Sequence, residues 1–212
     1  MKSFRGYQSN GFTLVELLVV SVIILVLAVL VMPALKEMRT KAQQIQCMSN
    51  LSQIGKAIMM YSAETDGCLP PVYNANTDDT WYCQWGGQKG ALAPYTERKW
   101  GEKSVFWCPS DPDGYSKQVS YFANASVMGK TVHSGSSTGP FKVASFTQPS
   151  KNILVIDSSV KLANPTYWIE SGFPDSFFYP SPHVNGTKQN ALYMDGHVEL
   201  IHLNPKVDLR PQ

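Results

Sequence analysis

The sequence has few charges and no concentration of positive ones. Lys, Arg, Asp and Glu make up 16% of its 212 residues, and the net charge is +2. A nucleic-acid-binding surface needs a basic cluster or stripe, so no nucleic-acid partner is expected. Apolar residues make up 43% of the chain. That fraction fits a folded domain of about 150 residues with an appended segment better than a disordered chain.

The signatures of common enzyme classes are also missing. The sequence contains no nucleophile elbow, phosphate-binding glycine loop, metalloprotease helix or paired-acid spacing. No Cys-x-x-Cys pair occurs among its four cysteines, so a zinc or redox motif has weak support. We therefore expect neither catalysis nor a cofactor, and we assign no metal site.

The segment from Phe12 to Met32 contains a single ionisable residue, Glu16. In a helix its 21 residues would span about 32 Å, close to the thickness of a bilayer's hydrocarbon core. A secretory signal peptide would have a shorter apolar core followed by a small-residue cleavage site. A plain uncleaved anchor is the other alternative. Neither explains the acid.

The Glu16 carboxylate needs a partner inside a membrane. A charge at the bilayer centre costs roughly 2.5–3.5 kcal/mol on insertion scales, and somewhat less near an end. Cleavage after Gly11 would give Phe12 a positively charged amine. In an assembly, that amine and the carboxylate of a neighbouring subunit would neutralise each other. The alternative is a carboxylate that reaches water or is protonated.

The stretch around this acid, Gly11-Phe12-Thr13-Leu14-Val15-Glu16-Leu17-Leu18-Val19-Val20, resembles the N-terminal signature of type IV prepilins and type II secretion pseudopilins. The resemblance implies that a prepilin peptidase cuts between Gly11 and Phe12 and methylates the Phe12 amine. It also implies that Glu16 guides subunit docking. Pro33 matches the helix-bending proline of the family, and its missing N–H gives it that role on physical grounds too.

Beyond Pro33 the apolar residues recur every three or four positions, which predicts an amphipathic helix packed on a sheet. They are Leu35, Met38, Ala42, Ile45, Met48, Leu51, Ile54, Ile58 and Tyr61. Thr65-Asp66-Gly67 is expected to end the helix, because glycine accepts the left-handed conformation. The run Ile153–Ile156 is typical of a buried strand. The expected fold is α+β, with a long N-terminal helix packed on a C-terminal antiparallel β-sheet.

The C-terminal part contains a hairpin signal. Asp195-Gly196 between two apolar runs predicts a two-residue turn that pairs Tyr193 with Val198. That register places four side chains on the core face: Ala191, Tyr193, Val198 and Leu200. The opposite face would carry Leu192, Met194, His197 and Glu199.

Three further motifs resemble a pseudopilin-like family abundant in planctomycetes. They are Cys47-Met48-Ser49-Asn50-Leu51-Ser52-Gln53-Ile54-Gly55, Phe106-Trp107-Cys108-Pro109-Ser110-Asp111, and a terminal His…Asp-Gly element. The last resembles a His-x9-Asp-Gly motif, with His183, Asp195 and Gly196 as its residues. Eleven residues rather than nine separate His183 from Asp195. The region from about Val72 to Trp100 stays unassigned.

An extracytoplasmic location would favour disulfides among Cys47, Cys68, Cys83 and Cys108. Our predicted pairs are Cys47 with Cys68 and Cys83 with Cys108, and four buried thiols are the alternative.

His183, His197 and Asp195 can be interpreted as a metal or acid–base cluster, although a structural role is the simpler interpretation. Calcium in the loop Asp111-Pro112-Asp113-Gly114 is a weaker hypothesis, because the loop lacks EF-hand spacing.

The sequence thus predicts four segments: a cleaved leader (1–11), a transmembrane and assembly helix (12–32), an amphipathic helix (33–67) and an extracytoplasmic head (68–212). We expect a single-pass inner-membrane protein that is assembled into a periplasmic pseudopilus or a surface pilus. Its partners would be the prepilin peptidase, identical or related pilin subunits, an inner-membrane assembly platform and, before assembly, the lipid bilayer. The rival is a membrane-tethered binding module, perhaps for carbohydrate, that uses long loops and the aromatic residues Trp81, Tyr82, Trp85, Tyr95, Trp100 and Trp107.

Overall fold

A computed structural model describes residues 12–71, 73–74, 79–80, 90–96, 104–111, 120–129, 141–157, 183 and 188–202. The chain divides into two compact units, Met1–Lys41 and Ala42–Gln212. The predicted leader with Gly11, the loop 134–140 and most of the loop 179–188 lie outside the described residues. So do Cys83 and four of the aromatic residues: Trp81, Tyr82, Trp85 and Trp100.

One long helix, α1, runs from Leu14 to Glu64 and includes Pro33. Within the first unit every described side chain is exposed. By length and composition this helix is able to cross a membrane, in agreement with the apolar segment of the sequence. Its end is as expected: Gly67 has a φ of +79°, and its N–H donates to the Ser62 carbonyl at 2.9 Å. A bend at Pro33 stays a prediction.

The second unit contains a four-stranded antiparallel sheet and a separate two-stranded ribbon. The ribbon pairs β1 (Tyr73–Asn74) with β2 (Asp79–Thr80). The sheet has the order β3-β4-β5-β6. Its strands are β3 (Tyr121–Ala123), β4 (Ile153–Asp157), β5 (Gln189–Tyr193) and β6 (Val198–Ile201). A short helix, α2 (Ala125–Met128), follows β3.

The hydrophobic core of this unit lies between the sheet and the last five turns of α1. Leu51, Ile54 and Ile58 are fully buried, as predicted, and they share one cluster with Leu154 and Leu192 of the sheet. The predicted stripe fails over its first four positions, because Leu35, Met38, Ala42 and Ile45 are all exposed. The expected α+β architecture, a long helix packed on an antiparallel sheet, is confirmed.

The β5–β6 hairpin forms where predicted, but its register is one residue away. Leu192, not Tyr193, pairs with Val198. The Tyr193 carbonyl accepts a hydrogen bond from the N–H of Gly196, and Gly196 has a φ of +91°. These contacts describe a three-residue loop with a left-handed glycine rather than the predicted two-residue turn. The shift places Leu192 and Met194 in the main core, while Ala191 and Tyr193 face a smaller cluster.

Candidate functional site

Thr13 and Glu16 form a reciprocal hydrogen-bonded cap at the start of α1. Glu16 Oε2 accepts from the Thr13 backbone N–H at 2.8 Å and from the Thr13 hydroxyl at 2.7 Å. The Glu16 N–H donates to Thr13 Oγ1 at 3.3 Å. This arrangement is a capping box, in which each residue satisfies a backbone donor that the first helical turn leaves unpaired. The acid of the apolar segment therefore has a polar partner within its own chain.

Thr13 was missed from the sequence, although the spacing Thr-x-x-Glu before an apolar run is a recognised signal for a capping box. Phe12, the residue after the expected cleavage point, is 78% exposed. Glu16 follows Phe12 by four residues in the sequence. The candidate assembly residues Glu16 and Pro33 lie in α1, and the candidate methylation residue Phe12 precedes it by two residues.

The second unit contains a disulfide between Cys47 and Cys108, with the two Cα atoms 5.2 Å apart. Both predicted cysteine pairs are therefore wrong, and Cys68 is a half-buried free thiol. Helix geometry explains the error. Cys47 lies 17 residues before the end of α1 at Glu64, so about 26 Å of helix separates it from Cys68, which follows that end. A disulfide requires Cα atoms within about 7 Å of each other.

His183 lies against this disulfide and is completely buried. Its Nε2 atom is 3.4 Å from Cys108 Sγ and 2.9 Å from Asp157 Oδ2. Asp157, the last residue of β4, is also fully buried. Its carboxylate accepts two hydrogen bonds from Asn190, from the backbone N–H at 2.8 Å and from the side-chain amide at 2.6 Å. A buried carboxylate is thus fixed between an imidazole and an amide.

A buried tyrosine next to these groups remains a neutral phenol. Burial raises the pKa of Tyr121 far above its usual value, and the negative charges of Asp157 and Asp111 act in the same direction. A hydrogen bond with Asn50 only partly offsets them. Ionised phenolate is therefore excluded from this part of the core at physiological pH.

The structure brings together residues from all three of the distant sequence motifs. Cys47 comes from the first motif, Cys108 from the second, and His183 from the third. Asn50 of the first motif also donates to the Trp107 carbonyl of the second at 2.9 Å. These contacts fasten α1 to the segment 104–111 on two successive turns of the helix.

The remaining motif residues, Asp195 and Gly196, lie in the exposed β5–β6 turn and do not join His183. Asp195 interacts instead with His197, whose ring stacks on Tyr193 with centroids 4.2 Å apart. Partial burial acts to raise the pKa of Asp195, but hydrogen bonds from His197 outweigh it and lower the pKa below its usual value. The hypothesis of one cluster containing His183, His197 and Asp195 is wrong for this structure.

Asp111 of the suggested calcium loop is buried, whereas residues 112–114 lie outside the described part, so calcium binding there stays a hypothesis. Tyr95 of the aromatic segment packs edge-on against Tyr61, and its hydroxyl donates to Glu64 at 2.6 Å. Sequence reasoning missed Asp157 and Asn190. An acid directly after the buried run Ile153–Ile156 was the available signal for the first, and we find none for the second.

Residues 7–32 match the family described as "Prokaryotic N-terminal methylation motif". The chain is also 39% identical over 61 residues to the type II secretion system core protein G of Pectobacterium carotovorum subsp. carotovorum. That match covers 29% of this chain, and the chain spans 39% of the relative's length. No solved structure is significantly similar.

Proposed function

The N-terminal methylation motif and the similarity to a secretion-system core protein support assignment of this chain to the prepilin and pseudopilin family, and from that premise we propose that it is a structural filament subunit. The precursor is held in the membrane by the first half of α1. Cleavage between Gly11 and Phe12 releases the leader, and the Phe12 amine is methylated. The mature subunit then joins related subunits in a type II secretion pseudopilus or a type IV pilus-like filament.

The position and bonding of Glu16 carry this proposal. It is the only acid between Phe12 and Met32, and its carboxylate is held by Thr13 at the exposed start of α1. During assembly the apolar side chains replace their contacts with lipid by contacts with neighbouring helices. Their hydrophobic free energy changes little, because both environments are apolar. A charge pair between Glu16 and the Phe12 amine of a neighbour then sets the register, because an unpaired charge in that environment is costly.

The proposed location follows from the same segment. A membrane-held helix with its start at the cytoplasmic side places residues 68–212 outside the cytoplasm. The Cys47–Cys108 disulfide supports this orientation, since disulfides persist in oxidising compartments. The partners are then the prepilin peptidase, related subunits and the inner-membrane assembly platform.

The first test is the mature N-terminus of the protein purified from its native host. We expect mass spectrometry to find a chain that begins with N-methylated Phe12. A chain that retains residues 1–11 would contradict the proposal.

Substitution of Glu16 separates a filament subunit from the rival, a tethered binding module. We expect Glu16→Val to abolish filament formation while the protein still reaches the membrane, as measured by shear fractionation and immunoblotting. The matched control is Glu37→Val, which removes another exposed acid, one that pairs with Lys41 beyond the apolar segment. Filaments that form normally with Glu16→Val would favour the tether.

A further inference from the structure

The disulfide, His183 and Asp157 together form a set of metal-ligating side chains, here called the Cys-His-Asp cluster. The ligand atoms of Cys47, Cys108 and His183 all lie within 4.8 Å of one another, and all three residues are buried. Asp157 Oδ2 lies 2.9 Å from the same imidazole nitrogen that faces Cys108. Two sulfurs and a nitrogen therefore lie close together in the core, and the Asp157 carboxylate lies directly beside the nitrogen.

The distances from His183 Nε2 to Cys108 Sγ and to Asp157 Oδ2 are close to those of a tetrahedral zinc site. With Zn–S bonds of about 2.3 Å and Zn–N and Zn–O bonds of about 2.0–2.1 Å, the ligand atoms stand about 3.6 Å (N to S) and about 3.3 Å (N to O) apart. The corresponding distances here are 3.4 Å and 2.9 Å. These two distances differ from the zinc values by only a few tenths of an ångström, whereas the two sulfurs, which are bonded to each other, would have to separate.

The two sulfurs are bonded to each other in this structure, so they can bind a metal only after reduction. Two-electron reduction by a thiol or phosphine gives two thiols, and binding of a divalent ion then releases their two protons. The two thiolates would stand about 3.8 Å apart on a zinc ion. Their Cα atoms are 5.2 Å apart, so rotation of the side chains opens this gap without separating the backbones.

Asp157 already has the support that a metal-ligating carboxylate needs. Asn190 donates to both of its oxygens, at 2.8 Å and 2.6 Å. Such contacts orient ligands and commonly change metal affinity by about 10–100-fold when they are removed. Two thiolates and one carboxylate around a divalent ion leave one net negative charge, which these two N–H donors partly offset.

We propose that Cys47 and Cys108, in their dithiol form, bind one zinc ion together with His183 and Asp157. The sequence predicted no metal site, because it contains no Cys-x-x-Cys pair. The ion would tie α1 to the segment 104–111 and to β4 before the disulfide forms. The head would then be cross-linked at the same point in either oxidation state.

Cobalt(II) is a suitable probe, because a tetrahedral thiolate site gives it intense visible bands and a thiolate-to-metal charge-transfer absorption. The full-length chain in detergent is reduced with a phosphine and titrated with cobalt. We expect one equivalent to bind, with the spectrum of two thiolate ligands, and zinc to displace it. Cys108→Ser and His183→Gln should each weaken binding by at least about tenfold. The matched control Cys68→Ser should leave binding unchanged.

The oxidised chain should give no charge-transfer absorption. The absence of a stoichiometric tetrahedral spectrum in the reduced chain would overturn the proposal, as would unchanged affinity in His183→Gln. If His183→Gln fails to form the Cys47–Cys108 disulfide on oxidation, it has not folded. The cobalt titration of Asp157→Asn then tests the proposal instead. Asparagine keeps the shape of the side chain but coordinates weakly, so we expect at least about tenfold weaker binding. Unchanged affinity in this variant would also overturn the proposal.

Discussion

Gly55 of α1 lies against Leu192 of β5. A Cβ atom at this position would be 2.9 Å from Leu192 Cδ1 and 3.4 Å from Cδ2, and Leu192 is fully buried. A larger residue therefore has to displace a packed side chain. We expect Gly55→Val to lower the free energy of unfolding by about 1–3 kcal/mol through overpacking, as measured by urea unfolding of the full-length chain in detergent.

The matched control at the residue scale is Gln53→Val, which introduces the same side chain at an exposed position of the same helix. Only helix propensity changes there, so the loss should be about 0.5 kcal/mol or less. Equal losses in the two variants would show that α1 and β5 do not approach each other as closely as this structure has them. Gly55 belongs to the first cysteine motif, whose sequence alone does not reveal that it faces Leu192.

At the scale of elements, the β5–β6 hairpin shows what pattern reasoning can and cannot provide. Asp195-Gly196 located the turn correctly, because glycine is the residue that accepts positive φ there. The pattern did not distinguish a two-residue turn from a three-residue loop, since Asp-Gly suits both. Side chains alternate along a strand, so the one-residue difference in loop length places Leu192 on the face predicted for Tyr193, and Tyr193 on the face predicted for Leu192. The periodicity of α1, which spans many turns, was correct from Leu51 onward.

The turn gives a prediction at this same scale. No atom lies within 4 Å of a Cβ built on Gly196, so a substitution there meets only the strain of a φ of +91°. We expect Gly196→Ala to cost about 1–2 kcal/mol. Gly196→Asn should cost less, because asparagine tolerates the left-handed region. Thermal unfolding of both variants measures the difference, and equal losses would contradict the assigned conformation.

At the scale of the whole molecule, the α+β architecture and the apolar segment were predictable because they follow from local periodicity and hydrophobic length. The cluster around His183 was not. Its residues lie in four places along the chain, at Cys47, Cys108, Asp157 and His183, and only the folded sheet brings them together. The predicted cysteine pairs were wrong for a related reason. A helix of the predicted length already places Cys47 too far from Cys68 for a disulfide, and the pairing ignored that distance.

The Cys47–Cys108 disulfide carries the last prediction, because it joins α1 to a segment 61 residues away. Closing a loop of that length lowers the entropy of the unfolded chain by an amount worth about 4 kcal/mol on the chain-entropy estimate. We expect the double variant Cys47→Ser/Cys108→Ser to lose about 2–4 kcal/mol in urea unfolding under oxidising conditions. Cys68→Ser, a half-buried thiol outside the bond, should change stability by about 0.5 kcal/mol or less. A double variant as stable as the Cys68 control would mean that packing and hydrogen bonds such as that from Asn50 to Trp107 hold α1 to the segment 104–111 without the disulfide.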